Sequence, residues 1–175
     1  MKWLVCLPVI VVLAACGAPP RVLTPEESAQ QQRLRAREAK RRSEEVPTFP
    51  VSISCYGHGA GYIYSFSVQE PVYGQFSRRM IWGGSGNCGL VLAGYQVPLT
   101  WTPGMKVRVR WNRPVKGEDN WIEKTTAILP YTAIGNLYVH FFANDEVRVL
   151  VSQVGVLNPG HAIPPTATVP PREPN

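Results

Sequence analysis

Residues 106–111 constrain this chain more than any other stretch. They read KVRVRW, so Val107, Val109 and Trp111 alternate with Lys106, Arg108 and Arg110. Successive side chains on a strand point to opposite faces, which gives this segment one apolar face and one row of cations. The apolar face needs a sheet-built core, and the cationic face looks outward. The same period recurs in residues 51–55 and 62–68, where Tyr62, Tyr64, Phe66 and Val68 fall on one side. Residues 79–82, 89–92, 121–129, 137–142 and 147–151 are further strand candidates. Gly, Pro, Asn and Asp punctuate these runs. Asn144-Asp145 reads as a hairpin turn between the last two. Short strands at this spacing predict an all-β fold, an antiparallel β-sandwich in an Ig-like or barrel-like variant, over residues 47–157. About 110 residues suffice for one hydrophobic core and not for two.

The flanks differ sharply from this domain. Residues 1–16 read MKWLVCLPVIVVLAAC. Lys2 precedes an apolar run too short for the ~20 residues that span a bilayer, which fits a secretory signal. Leu13-Ala14-Ala15-Cys16 resembles the bacterial lipobox. That resemblance implies a signal peptide over 1–15 and lipid on Cys16. Two or three acyl chains there would make the attachment effectively permanent. Gly17 stands where lipoproteins kept in the inner membrane commonly carry Asp, so the resemblance implies the outer membrane, facing the periplasm.

Residues 16–46 then form the lipid anchor and a polar helical tether. Thr24 suits the cap, Pro25 the first helical position, and Glu27 the reciprocal capping-box carboxylate. The following run has high helix propensity, but Leu34 is its only large apolar residue, so it has no face to bury. Residues 158–175 carry repeated prolines and few apolar residues, which predicts a semi-extended, disordered tail.

Little in the domain points to catalysis. His58 lies in the glycine-rich YGHGAGY and reads as part of a turn. A phosphate cradle there would need a helix behind it. His140 alternates with Tyr138 and Phe142 and is expected at the sheet surface. Gly84-Ser85-Gly86 lacks the spacing and setting of a nucleophile elbow, and no ligand pair shows metal-site spacing. The chain reads as a non-enzyme without metal or cofactor. Cys55 and Cys88 remain after processing, and the sequence leaves open whether they form a disulfide or stay separate thiols.

Charge says more than motif. The chain carries a formal +6. Nucleic acid conflicts with export as a partner. Lys106, Arg108 and Arg110 are therefore the candidate partner-binding residues, a row that would dock an acidic protein. The competing reading is the solvated side of a sheet. Trp82, Tyr95, Trp101 and Trp121 are the aromatics near these cations in sequence, and Trp, Tyr and Arg dominate binding hot spots.

One resemblance bears on the partner. Tyr64-x-Phe66-x-Val68, then Gly83-Gly84 with Cys88, then Trp101-x-Pro103-Gly104-x-x-Val107-x-Val109-x-Trp111 resembles a family of small bacterial lipoproteins often encoded beside type VI secretion lipase effectors. Such members act as periplasmic immunity lipoproteins. The resemblance implies a protein that binds and neutralises a secreted phospholipase effector from its lipid anchor. The alternative is a non-catalytic envelope lipoprotein that serves as a structural or recruiting module of a secretion complex.

Overall fold

The computed structural model describes residues 24–43, 46–72 and 75–174. The expected signal peptide, residues 1–15, and the lipidation candidate Cys16 lie outside the described residues.

Helix α1 (Pro25–Ser43) begins where the capping residues place it. Thr24 N–H donates to Glu27 Oε2 at 2.8 Å, and Glu27 N–H donates back to Thr24 Oγ1 at 3.2 Å. Glu26 and Glu27 also complement the positive end of the helix dipole. At 1.5 Å per residue the helix is about 28 Å long, and Leu34 on it is exposed. No helix among the described residues is long and apolar enough to cross a membrane.

The remainder is a β-sandwich. Its strands are β1 (Thr48–His58), β2 (Ser65–Val72), β3 (Gln75–Ser85), β4 (Leu92–Pro98), β5 (Lys106–Asn112), β6 (Trp121–Ala127), β7 (Asn136–Phe142) and β8 (Val147–Ser152). They form two four-stranded sheets, ordered β4-β1-β7-β8 and β3-β2-β5-β6. Pairing is antiparallel except between β1 and β7, which run parallel. A parallel pair cannot be joined by a tight turn, and here the chain passes through the whole second sheet between these two strands. The inner faces interdigitate through Val51, Ile53 and Cys55, Phe66 and Val68, Val107, Val109 and Trp111, and Leu137, Val139 and Phe141. The Trp111 and Phe66 rings meet Phe141 at centroid distances of 5.3 and 5.6 Å.

Asn144 and Asp145 join β7 to β8 with φ of 60° and 59°, the twist that a two-residue hairpin needs. The candidate strand at residues 89–92 is mostly irregular backbone after the turn, and β4 begins at its last residue. Gly94 and Pro98 obscure β4 in the sequence; Pro98 is tolerated because β4 is an edge strand. Tyr62 and Tyr64 are half exposed rather than buried beside Phe66 and Val68. Gly59 and Gly61, with φ of 70° and 78°, bend the backbone there, and the strand starts only at Ser65.

Cys55 and Cys88 form a disulfide, with Cα atoms 4.9 Å apart. Cys55 sits on the inner face of β1. Cys88 lies in a turn after β3 whose residues Gly86, Asn87 and Cys88 all have left-handed φ. Asn87 anchors this turn: its Oδ1 accepts from Ile63 N–H and its N–H donates to Ile63 O. The bridge therefore staples one sheet to the turn that leaves the other.

The largest departure from expectation is the C-terminal segment. Residues 158–174 are not a disordered tail. Val156 and Ile163 pack with Tyr138, Phe142 and Leu150 on the outer face of β7 and β8, and Tyr56, Leu129 and Ala167 flank them. Arg148 Nε donates to Pro171 O at 2.7 Å and its Nη1 lies 3.6 Å from Glu173 Oε1. The outer face of this sheet is itself apolar and needs a cover. Proline, with φ preset, loses little entropy in providing one. The domain boundary expected at 157 therefore extends through this segment.

Gly135 illustrates how tightly β7 enters the sheet. A Cβ there would lie 2.2 Å from the backbone C and O of Ser152. Gly135→Ala must push the end of β8 away. Its expected cost is about 1–3 kcal/mol, the range for overpacking, read as a lower urea midpoint.

Candidate partner-binding face

The inward residues of β5 are locked in the core, so alternation directs Lys106, Arg108 and Arg110 to the outer face of β3-β2-β5-β6. Register then decides their neighbours. Arg110 faces Glu123 on β6 and Ser67 on β2, and Ser67 in turn faces Trp82 on β3. One row across the sheet is thus Trp82, Ser67, Arg110 and Glu123. Trp121 closes the next row opposite Asn112. Arg110 stacks on Trp121, its Cζ 4.5 Å from the ring centroid, a cation–π contact. Arg108 Nη1 lies 3.3 Å from Glu123 Oε1. Trp82 and Trp121 are 55% and 45% exposed, and Met80 beside them is exposed too.

Among the described side chains the face thus offers three cations against one carboxylate, between two exposed indoles. An ion pair as exposed as Arg108–Glu123 is worth ~0–1 kcal/mol, so a partner carboxylate can replace it at little cost. Of the aromatics near the cations in sequence, Trp82 and Trp121 belong to this face. Tyr95 is fully buried, and Trp101 packs against the core with its Nε1–H donating to Ile128 O at 2.9 Å. On the inner side of β6, Lys124 pairs with Glu146, the residue just before β8, and is an inward-pointing charge of the kind that blunts edge pairing.

A second constellation was not visible in the sequence. His140 is not at the surface but fully buried beneath the C-terminal segment. His140 Nδ1 lies 2.8 Å from His58 Nε2, and His140 Nε2 lies 3.1 Å from His161 Nε2. His161 Nδ1 reaches Val154 O at 2.9 Å. Burial lowers the pKa of His58, and it pushes His140 down to about 3, with the other two imidazoles adding to the effect. Each nitrogen of His140 faces a different ring, so the three rings do not converge on a point. His161 was hidden because it lies in a proline-rich run. The only signal for its burial is the pair of apolar residues, Val156 and Ile163, around it.

A family model described as "Protein of unknown function (DUF3304)" matches residues 56–149, more than half of the chain. The span includes the basic face, His58 and His140, and stops short of Cys55, His161 and the C-terminal cover. No curated protein and no solved structure matches.

Proposed function

The chain belongs to the DUF3304 family, and we propose that it is a non-catalytic lipoprotein, anchored through Cys16, whose sandwich binds and neutralises a secreted phospholipase effector. The observation that carries this reading is the row of Lys106, Arg108 and Arg110 flanked by the exposed Trp82 and Trp121. Arg and Trp are the side chains that contribute most at protein interfaces, and a positive patch speeds encounter with an acidic partner. A β-sheet face is rigid, so it loses little conformational freedom on docking. The lipase as partner follows from the sequence resemblance.

The test is co-purification of the chain, kept intact through residue 174, with the product of the adjacent gene, followed by a phospholipase assay. A complex with abolished lipase activity supports the reading. A complex with full activity moves the protein to the recruiting-module class. Arg108→Glu with Arg110→Glu is expected to weaken the complex at least tenfold at low ionic strength, about 1.4 kcal/mol. The difference should shrink in salt, where exposed charges are screened. Thermal unfolding should be unaffected, because neither side chain enters the core. An unchanged affinity at low salt would reduce the row to a solvated sheet face.

A further inference from the structure

We infer that the proline-rich cover, residues 153–174, is a proton-operated latch: the neutral His58–His140–His161 chain holds it on the outer face of β1, β7 and β8, and mild acid releases it.

The hydrogen bonds along the chain fix where each proton sits. Only an N–H can face a carbonyl at hydrogen-bond distance, so His161 Nδ1 donates to Val154 O. His161 Nε2 is then an acceptor, and His140 Nε2 must donate to it. His140 Nδ1 is in turn an acceptor, and His58 Nε2 donates. This assignment leaves His58 Nδ1 bare. That atom is indeed a buried nitrogen with no hydrogen-bond partner. One carbonyl thus sets three tautomers and accounts for the orphan at the far end.

The closed chain has room for one additional proton at most. Protonated His140 would turn an N–H against the N–H of His58. The clash clears only if His58 moves its own proton to Nδ1; the backbone of Pro165 and Ala167 near the His58 ring favours its protonated form, though burial outweighs it. A second added proton finds no acceptor.

The charged and titratable neighbours do not rescue it. Tyr56 on β1 lies against His58 and His140, and Tyr138 on β7 against His161. On β8, Arg148 stands opposite His140 in register, a cation that opposes further positive charge. Glu146 and Glu173 are both engaged with Arg148, Glu146 also with Lys124, and Glu173 also accepts from Thr126 Oγ1.

Release of the cover removes these limits, and a freed histidine titrates near its ordinary value of about 6.5. The closed form keeps His140 neutral down to about 3. Its contribution to closure is therefore complete above roughly pH 6.5 and is lost progressively below it. Between pH 7 and pH 5, His140 alone shifts the ratio of open to closed about 25-fold, and His58 moves it in the same direction.

Hydrogen exchange of the full chain at pH 7 and pH 5, corrected for intrinsic chemical rates, reads this directly. The amides of His161 and Ala167, which donate to Asn158 O and Pro164 O, report on the cover. They are expected to lose protection at least 25-fold at pH 5, while amides of β2 and β5 keep theirs. Equal protection of the cover at both pH values would overturn the latch. So would parallel loss in both sheets, which is global acid unfolding. His161→Gln should leave the cover poorly protected at pH 7 and remove most of the pH dependence. A wild-type pH response in that variant would also overturn it, and the wild-type comparison stands alone if the variant does not fold.

Discussion

Trp111→Ala is expected to lower the unfolding free energy by about 3–5 kcal/mol, the range for deleting a large buried aromatic. Trp111 is 1% exposed and is the last inward side chain of β5. It sits between the sheets against Phe141, which also receives Phe66 edge-on. β5 is an interior strand, paired with β2 on one side and β6 on the other, so neither neighbour can collapse into the hole. The loss should appear in urea as a shifted midpoint with an unchanged slope, because the surface exposed on unfolding stays nearly the same. Trp121→Ala supplies the contrast. That indole lies on the opposite face and is about half exposed, and its removal should cost under ~1 kcal/mol while weakening partner binding. Equal destabilisation by both substitutions would mean that the two faces of β5 and β6 are assigned wrongly.

Removal of the disulfide has the second largest expected effect. The bridge closes a loop with a sequence separation of 33. Cross-linking a loop of that length restricts the unfolded chain by about 3–4 kcal/mol in the chain-entropy model. The double substitution of Cys55 and Cys88 by Ala leaves no lone thiol and should lose roughly that amount. The effect acts mainly on the unfolded state, so the folded variant should keep whatever binding the proposed face on β5 supports, and only the denaturation midpoint should move. If the wild-type midpoint is the same with and without reductant, the bridge contributes nothing to stability in solution.

Particular residues show how far sequence reading reaches here. The two faces of residues 106–111, the capping box of Thr24 and Glu27, and the Asn144-Asp145 turn were all legible, because each depends on neighbours within a few positions. The Lys106, Arg108 and Arg110 row was legible as a row. Its indole flanks were legible only as candidates, since Trp82, Tyr95, Trp101 and Trp121 look alike until strand register turns Trp82 and Trp121 outward and Tyr95 inward, and packing tucks the loop residue Trp101 against the core. β4 was mostly missed because Gly94 and Pro98 mimic loop composition, although an edge strand accepts both.

The sequence by itself determined that this chain builds a β-sandwich with one basic strand face, preceded by a capped polar helix. Alternation and capping are short-range and follow from backbone geometry alone. Only the tertiary structure decided that Cys55 meets Cys88, that His58, His140 and His161 form one buried chain, and that a proline-rich end covers a sheet. Each of these depends on which distant segments share a face. The histidine chain arises because β1 pairs parallel with β7 and sets Tyr56 opposite His140, so that His58 and His140 lie side by side. Such a pairing is selected by the total apolar area that all strands bury together. That quantity belongs to the folded chain as a whole and leaves no trace in any short window of residues.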